Sequence, residues 1–322
     1  MAKRKIKIAV LFGGKSAEHD VSLQSARNVI NALNKDKYKV TPIKINREGK
    51  FKVDKIKNFD VVFPVLHGPY GEDGSMQGFL KLAGLPFVGP SVLGSAVGMD
   101  KDVMKRLFRD AGIPIGKFIV VHGGEKISFA KVKKELGLPV FVKPANLGSS
   151  VGIHKVKNEK EWDGAIKDAF QYDSKLVIEK NINGREIECS VLGNEDPVSS
   201  IPGEIIANQD FYSYDAKYID KGSVAEIPAK LDKNTIKKIQ NMAVKVFKVL
   251  NCEGLSRVDF FLEKNGNILV NEINTLPGFT SISMYPKLWE ASGLPLSKLL
   301  DKLVDLALER FEREKKLKTT VK

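Results

Sequence analysis

Two acidic residues on neighbouring strands are the first candidates for chemistry. The dipeptide Asn265-Gly266 separates two largely apolar runs and predicts a β-hairpin with a two-residue turn. That register places Asp259 opposite Glu272. It also places Arg257 opposite Asn274, so all four side chains share one face. Because opposed carboxylates repel, this pattern favours a divalent cation between them. The alternative, a solvated hairpin face, poorly explains why both strands are otherwise apolar.

A second set of residues suits phosphate binding. A hard cation held by few carboxylates commonly completes its ligands with phosphate oxygens, as Mg²⁺ does with ATP. Lys143 ends an apolar strand before the small-residue loop 145–152, whose backbone N–H groups can approach phosphate oxygens. Lys101 begins a predicted helix, where a cation is unfavourable unless an anion lies nearby. An ordinary surface lysine stays an open alternative for Lys101 taken alone.

Several common motifs are missing from the sequence. Gly14-Lys15-Ser16 is similar to the end of a P-loop, but the earlier glycine of that motif would fall at Ala9. The lack of a G-x-G-x-x-G motif counts against NAD and FAD. There is no G-x-S-x-G nucleophile motif, and the four histidines have no metal-binding spacing. His67 ends a buried strand and opens a glycine-rich loop, so both a functional and a structural role stay open.

Composition limits the class of protein. The chain has 322 residues, of which 43% are hydrophobic and 28% charged, as expected of a globular protein with one large or several small domains. Its net charge of +13 comes mainly from lysines spread along the chain, which suits anionic substrates better than nucleic-acid recognition. Two cysteines cannot form a disulfide framework, and no apolar stretch approaches membrane-spanning length. We expect a cytoplasmic protein that is neither exported nor embedded.

The elements that must position these residues change character along the chain. Alternating strands and helices near the start predict a parallel sheet, which binds ligands at the carboxyl ends of its strands. From about residue 100, short strands predict an α+β arrangement. The expected elements are strands at 6–12 and 60–66 with a helix at 21–33, strands at 117–121, 139–143, 151–156 and 175–180 with a helix at 159–170, strands near 185–193 and 198–206, helices at 232–250 and 296–315, and the hairpin at 257–274.

Motifs along essentially the whole chain resemble those of one enzyme family. The motifs are Gly13 to Glu18, His67 to Gly74, Met99-Asp100-Lys101, Val142-Lys143-Pro144 with Gly148 to Gly152, Glu179-Lys180 with Gly184-Arg185-Glu186, Phe211 to Tyr218, Arg257-Val258-Asp259, and Asn271 to Ser281. Together they are similar to those of the D-alanine–D-alanine ligases, ATP-grasp enzymes of bacterial cell-wall synthesis.

The resemblance implies a fold, an assembly and a reaction. A Rossmann-like substrate domain over residues 1–100 would precede a two-lobed ATP-grasp fold, with a central lobe over 101–183 and a C-terminal lobe over 184–322. ATP would lie between the two lobes, and two chains would form a homodimer. ATP would phosphorylate the carboxylate of one D-alanine. The amine of a second D-alanine would then attack the acyl phosphate.

The resemblance also implies the residues that bind ATP and metal. Lys101, Lys143 and Ser150 would hold the phosphates, Glu179, Lys180 and Ile182 would face adenine, and Glu186 would face the ribose. Asp259, Glu272 and Asn274 would bind two Mg²⁺ or Mn²⁺ ions. This metal assignment agrees with the hairpin pairing reached from the residues themselves.

The implied substrate and catalytic residues come from more distant parts of the chain. Glu18 would bind the ammonium group of the first substrate with His67 nearby, and Ser283 and Met284 would receive the carboxylate of the second. Arg257 and the Gly278 backbone N–H would stabilise the oxyanion. Lys217 would reach the transferred phosphoryl group, and Tyr218 would hydrogen-bond with Ser149 and Glu18. The sequence therefore predicts nineteen site residues.

Other functions stay open at this point. A D-alanine–D-lactate or D-alanine–D-serine ligase would share the same scaffold, as would a different ATP-grasp carboxylate–amine ligase. An inactive nucleotide-binding module and a basic nucleic-acid binder are alternatives from other classes. We expect no nucleic-acid or membrane partner.

Overall fold

The fold contains three β-sheets that follow one another along the chain. The computed structural model describes residues 4–52, 56, 58–206, 224–318 and 320–321. The first sheet is parallel, with strand order β2-β1-β3 formed by β1 (Ile6–Gly13), β2 (Tyr38–Ile45) and β3 (Val61–Val65). Strand β3 is buried at every position. Helix α1 (His19–Ala32) packs against this sheet. Such a covering helix is needed because the strands of the sheet are continuously apolar.

Three short helices lead out of the first sheet, namely α2 (Ser75–Leu82), α3 (Val92–Met99) and α4 (Lys101–Asp110). The Asp100 carboxylate accepts hydrogen bonds from the backbone N–H groups of Asp102 and Val103, so it caps α4. The buried face of α4 carries Met104 and Phe108, but also two lysines one helical turn apart, Lys101 and Lys105. This cap fixes where the two lysines project.

The second sheet is antiparallel, with strand order β4-β7-β5-β6. Its strands are β4 (Phe118–His122), β5 (Val140–Pro144), β6 (His154–Val156) and β7 (Lys175–Lys180). Helices α5 (Phe129–Leu136) and α6 (Trp162–Ala169) bury their apolar sides in the core of this sheet. Strands β5 and β7 are antiparallel neighbours in which Phe141 lies opposite Glu179, so Lys143, two residues after Phe141, is the diagonal neighbour of Glu179 on the same face.

The third sheet has the strand order β11-β10-β8-β12-β13, with β9 paired to β8. Its strands are β8 (Gly184–Gly193), β9 (Val198–Ser199), β10 (Gly203–Ile206), β11 (Val224–Glu226), β12 (Gly254–Glu263) and β13 (Ile268–Asn274). Helix α7 (Lys233–Val249) covers one face of this sheet. Residues of β8, β12 and β13 on the other face are free to line a site.

The last two helices, α8 (Met284–Ala291) and α9 (Leu296–Lys315), join distant parts of the chain. Helix α9 contacts α1 and β3 of the first sheet as well as β8 and β12 of the third. Leu299, Leu303 and Val304 lie in one core with Ile8 and Phe63. The end of the chain therefore helps to bury the sheet at its beginning.

The hairpin β12–β13 differs from its prediction in two ways that compensate each other. Glu263 pairs with Asn267, so the loop has three residues, and Gly266 adopts a left-handed φ of 87°. That loop alone would pair Asp259 with Asn271. A bulge at Asn271 shifts the register by one residue and restores the pair Asp259–Glu272. The predicted two-residue turn is wrong, whereas the predicted pairing of the carboxylates is correct.

Other differences concern short or irregular elements. The strand predicted at 151–156 begins only at His154, because Gly148 to Gly152 form a turning loop. The strand predicted at 198–206 is split into β9 and β10. No prediction from the sequence covered β2, β11, α2, α3, α5 or α8. None of the helices in the described part of the chain combines the length and the apolar composition of a membrane-spanning segment.

Candidate functional site

Two adjoining cavities lie where the three sheets meet. The first has a volume of about 530 Å³ and the second of about 410 Å³. Lys101, Ser149 and Glu272 line both cavities, so the two spaces share a polar wall. Groups bound in the two cavities can therefore meet at this wall.

Every predicted site residue within the described part of the chain lines one of these cavities. The first cavity is lined by Glu18, His67, Lys101, Ser149, Arg257, Glu272, Asn274, Gly278, Ser283 and Met284. The second is lined by Lys101, Lys143, Ser149, Ser150, Glu179, Lys180, Ile182, Glu186, Asp259 and Glu272. Lys217 and Tyr218 lie outside the described residues. The individual roles of all these residues stay predictions.

Lysines converge on one buried carboxylate beside the second cavity. Lys143 at the end of β5 places its Nζ 2.8 Å from Glu179 Oε2 on β7, and Lys105 Nζ lies 3.1 Å from Glu179 Oε1. Burial alone would raise the pKa of Glu179, but the two ammonium groups outweigh burial and lower this pKa to about 2. Glu179 is therefore ionised at neutral pH, and its orientation is fixed by both lysines.

The loop 145–152 contributes Ser149 to the shared wall and has an unusual backbone. Ser149 and Ser150 have positive φ angles of 51° and 59°, which non-glycine residues adopt infrequently. The Leu147 carbonyl accepts a hydrogen bond from Lys101 Nζ at 2.5 Å, and the Ser149 hydroxyl donates to Glu18. These contacts hold the loop close to both cavities.

In the first cavity, Glu18 and His67 come from the carboxyl ends of two neighbouring parallel strands. His67 Nδ1 lies 3.1 Å from the Leu276 carbonyl and 3.4 Å from Glu72 Oε1. Burial lowers the pKa of His67, but the hydrogen bond and charge of Glu72 outweigh burial and raise it. Burial in turn raises the pKa of Glu72. This part of the cavity is acidic and can hold an ammonium group.

Arg257 lines the first cavity and lies between two carboxylates. Its Nε and Nη2 atoms each lie 2.7 Å from one oxygen of Asp259, and Nε lies 2.9 Å from Glu188 Oε2. Glu188 of β8 is paired with Asp259 of β12, which is paired in turn with Glu272 of β13. The three carboxylates therefore form one row across three strands.

Two of these carboxylates, Asp259 and Glu272, are predicted metal ligands together with Asn274. Asp259, Glu272 and Asn274 supply carboxylate and amide oxygens, which are the donors that Mg²⁺ prefers. Among the described residues, no group of three or more His, Cys, Asp and Glu side chains is close enough to hold a metal. Both oxygens of Asp259 contact Arg257. The donor chemistry fits, provided that Asp259 releases Arg257 when metal binds.

Part of the wall of the first cavity is formed by the segment before α8. Ser283 precedes α8, and its hydroxyl accepts a hydrogen bond from the Thr280 backbone N–H at 3.0 Å. A Cβ atom at Gly278 would lie 2.9 Å from Ser283 Oγ, so a larger residue would displace this hydroxyl. Met284 is buried beside it. The wall thus presents a hydroxyl next to an apolar surface.

Three charged residues in or beside the cavities were not predicted from the sequence. Lys105 follows Lys101 by four residues on the same helical face, and this spacing was a usable signal. Glu72 lies in the glycine-rich motif after His67, but its role was not assigned. Glu188 lies two residues after Glu186 on the same strand, so its side chain faces the same side of the sheet.

Two family models match the chain. The model described as "D-ala D-ala ligase N-terminus" matches residues 7–58 and 52–90. The model described as "D-ala D-ala ligase C-terminus" matches residues 107–305. Together they cover most of the chain.

Curated relatives match over almost their full length. A D-alanine–D-alanine ligase of Oceanobacillus iheyensis is 49% identical over 361 aligned positions, which include 98% of this chain and 99% of the relative. A D-alanine–D-alanine ligase A of Salmonella typhimurium is 45% identical over 98% of this chain and 100% of the relative.

Solved structures share the fold. The D-alanine–D-alanine ligase from Coxiella burnetii superposes with a TM-score of 0.88 at 39% identity, covering 97% of this chain and 96% of the other. The D-Ala:D-Ser ligase VanG from Enterococcus faecalis has a TM-score of 0.85 at 39% identity, covering 94% and 100%. The Bacillus anthracis D-alanine–D-alanine ligase complexed with ATP has a TM-score of 0.84 at 32% identity, covering 96% and 99%.

These matches confirm three predictions made from the sequence. They confirm the family, the ATP-grasp fold and the class of enzyme, an ATP-dependent ligase. The domain boundaries and the individual site residues stay predictions. On the two family models and on relatives that are 49% and 45% identical, the chain belongs to the D-alanine–D-alanine ligase family.

Proposed function

We propose that this enzyme joins two D-alanines to D-alanyl-D-alanine for peptidoglycan precursors, with ATP in the second cavity and both amino acids in the first. The observation that carries this proposal is the shared wall at Lys101, Ser149 and Glu272. A γ-phosphoryl group at this wall would lie beside the carboxylate of an amino acid in the first cavity. Proximity of this kind is a large part of catalysis by phosphoryl transfer.

The first step activates a carboxylate that is otherwise a poor electrophile. A carboxylate oxygen of the first D-alanine attacks the γ-phosphorus of ATP, forms an acyl phosphate and releases ADP. Lys101 and Lys143 neutralise charge on the phosphates, with Ser150 in the adjoining loop. Glu18 binds the ammonium group of the first D-alanine, and His67 lies beside it.

The second step forms the peptide bond. The amine of the second D-alanine attacks the acyl carbon, and the tetrahedral intermediate releases inorganic phosphate and a proton. Arg257 and the Gly278 backbone N–H stabilise the oxyanion, as donors aimed at developing charge do. Ser283 and Met284 receive the second carboxylate. Lys217 and Tyr218 complete the set of catalytic residues.

Asp259, Glu272 and Asn274 would hold two Mg²⁺ ions, or Mn²⁺. A divalent ion at this position supplies positive charge to the phosphoryl group in transit. What supports the assignment is the oxygen chemistry of the three side chains and their common face on the hairpin. Arg257, released from Asp259, would then turn toward the oxyanion.

We propose three working units, residues 1–100, 101–183 and 184–322, with ATP between the last two. The order of the three sheets along the chain supports this division. A homodimer is proposed from the family resemblance. Because ATP is the co-substrate, the cytoplasm is the proposed compartment.

A product assay tests this function directly. Phosphate release from ATP would be measured with D-alanine, D-lactate, D-serine or no added substrate, alongside mass detection of the product. From D-alanine we expect phosphate and D-alanyl-D-alanine in equal amounts. When D-lactate or D-serine competes with D-alanine at equal concentration, we expect little D-alanyl-D-lactate or D-alanyl-D-serine. Phosphate without dipeptide, or a mainly D-alanyl-D-serine product, would overturn the proposal.

Two matched variants test whether the first D-alanine binds at Glu18. Glu18→Gln should lower dipeptide formation strongly, because it removes the charge that faces the first ammonium group. Glu48→Gln, a similar change at an exposed turn near the same sheet, should leave dipeptide formation unchanged. Equal effects of the two changes would contradict the placement of D-alanine at Glu18.

A further inference from the structure

Lys105 is a buried lysine with no assigned role. It lies on α4, one turn after Lys101, and only 2% of the residue is exposed. Burying an ammonium group is costly unless opposite charges and hydrogen-bond acceptors surround it. The groups around Lys105 must therefore compensate for the burial of its charge.

The partners of Lys105 belong to two different sheets. Its Nζ lies 3.1 Å from Glu179 Oε1 on β7 and donates to the Asn271 carbonyl on β13 at 3.2 Å. Asn271 is the bulge residue of the hairpin and directly precedes Glu272. Lys105 therefore connects the carboxylate of the second sheet to the bulge that aims Glu272.

Lys105 does not line either cavity in the part of the chain that the structure describes, whereas Lys101, Lys143 and Glu179 do. It therefore acts on a ligand only through its neighbours. Lys143, the other lysine on Glu179, is also the lysine proposed to hold ATP phosphates. If Lys143 leaves Glu179 to bind a phosphate, Lys105 still contacts the Glu179 carboxylate.

We propose that Lys105 is a positioning residue that holds the Glu179 carboxylate toward the amino group of adenine while Lys143 serves the phosphates. The proposal rests on the function proposed above, because it assumes that Glu179 faces adenine. An adenine amino group donates a hydrogen bond to a carboxylate, whereas the carbonyl at the same position of hypoxanthine cannot. Lys105 would therefore set the preference of the enzyme for adenine nucleotides.

Calorimetric binding of ADP and IDP in Mg²⁺ buffer tests this proposal without requiring dipeptide formation. Lys105→Met should lower the preference for ADP over IDP by about tenfold, the usual worth of a hydrogen bond to a charged group. Arg109→Met on the exposed face of the same helix is the matched control and should leave the preference unchanged. The KM for D-alanine should not change in either variant.

A double variant keeps the proposal testable if Lys105→Met folds poorly. Lys105→Met with Glu179→Gln removes both charges, so no unpaired carboxylate is buried. Its preference for ADP should equal that of Glu179→Gln alone, because Lys105 acts through Glu179. A further fall in the double variant would overturn the proposal.

The remaining outcomes separate this inference from the proposed function. An unchanged preference in folded Lys105→Met, with a reduced one in Glu179→Gln, would overturn the role of Lys105 alone. An unchanged preference in Glu179→Gln would overturn both this inference and the adenine assignment of Glu179. Dipeptide formation by the unaltered enzyme would stand in either case.

Discussion

The two cavities contain equally buried glutamates that behave in opposite ways. Glu179 beside the second cavity is 7% exposed, and Glu72 beside the first is 8% exposed. Two lysines lower the pKa of Glu179 to about 2, against the effect of burial. Burial raises the pKa of Glu72, whose neighbours are His67 and another carboxylate, Glu18. The charges around a buried group, and not its burial alone, decide its protonation.

This contrast matches the ligands proposed for the two cavities. A nucleotide brings several negative charges, and the lysines around the second cavity supply the opposite sign. An amino acid brings one charge of each sign, and the first cavity offers Glu18 at one side and Arg257 at another. The shared wall is the place where the two kinds of surroundings meet.

The largest effect is expected at Glu272 of that wall and at its cross-strand partner Asp259. Asp259→Asn or Glu272→Gln should lower turnover by about ten- to a hundredfold, because each change removes a charge that would hold Mg²⁺ near the phosphoryl group. Phosphate release at limiting Mg²⁺ measures the effect. Glu263→Gln, at the far end of β12 beside the turn, is the control and should retain activity. Wild-type turnover in either cavity variant would refute the metal site.

Arg257→Lys should lower kcat by about tenfold and change KM less. A planar guanidinium reaches an oxyanion and a carboxylate together, whereas an ammonium is a single point of charge. Steady-state kinetics with D-alanine measures both constants, and Arg47→Lys at an exposed pair with Asp20 is the control. A loss confined to KM would instead assign Arg257 to substrate binding.

Glu179→Gln should destabilise the protein by a few kcal/mol at neutral pH, roughly as expected for a lowered carboxyl pKa. The native pKa of about 2 lies below the ordinary value of 4.5, so this stability is present above pH 4.5 and is lost as the pH falls toward 2. Urea unfolding from pH 7 down to the lowest pH at which the fold persists measures it. Exposed Glu290→Gln is the control. A pH-independent difference would contradict the lysine pairing.

Glu72→Gln should destabilise the protein less than Glu179→Gln does, by about 1 kcal/mol. The destabilisation should also change with pH in the opposite direction. The native pKa of His67 is raised above 6.5, so the stability from its pairing is present below pH 6.5 and is lost as the pH rises through the native value. The variant should therefore be more destabilised at pH 6 than at a pH above the native pKa of His67, measured by urea unfolding. Exposed Glu48→Gln should show no such trend, and equal destabilisation at both pH values would refute the His67–Glu72 pairing.

Regular elements with a strong hydrophobic pattern were predictable from the sequence. Strand β1, helix α7 and helix α9 lie within a few residues of their predicted positions, because a continuous apolar run identifies the buried strand and an apolar face with a fixed period identifies each helix. The omitted helices α2, α3, α5 and α8 each have eight residues. Helix α6 has the same length but was predicted, because the 3₁₀ turn at Glu159–Glu161 directly precedes it and lengthens the helical segment. The four omitted helices are isolated pairs of turns with little periodicity, and they form because the surrounding tertiary structure buries them.

The hairpin shows why local rules alone do not determine a register. Asn265-Gly266 favours a two-residue turn, but the loop gains a residue and the bulge at Asn271 removes the resulting offset. Local turn preference is weak compared with the packing of a strand whose two neighbours are fixed. The pair Asp259–Glu272 is retained because both side chains face the cavity and the apolar residues beside them face the core.

The sequence by itself determined the family, the types of residue available for chemistry and the elements with strong periodicity, because each of these depends on residue identity and short spacing. Only the tertiary structure decided that Lys105 and Lys143 share Glu179, that Glu72 pairs with His67, and that Glu188 joins the row beside Arg257. Several of these partners are separated by tens of residues and belong to different strands. Their contacts depend on strand order and register, which arise when distant segments pack together and bury their apolar faces.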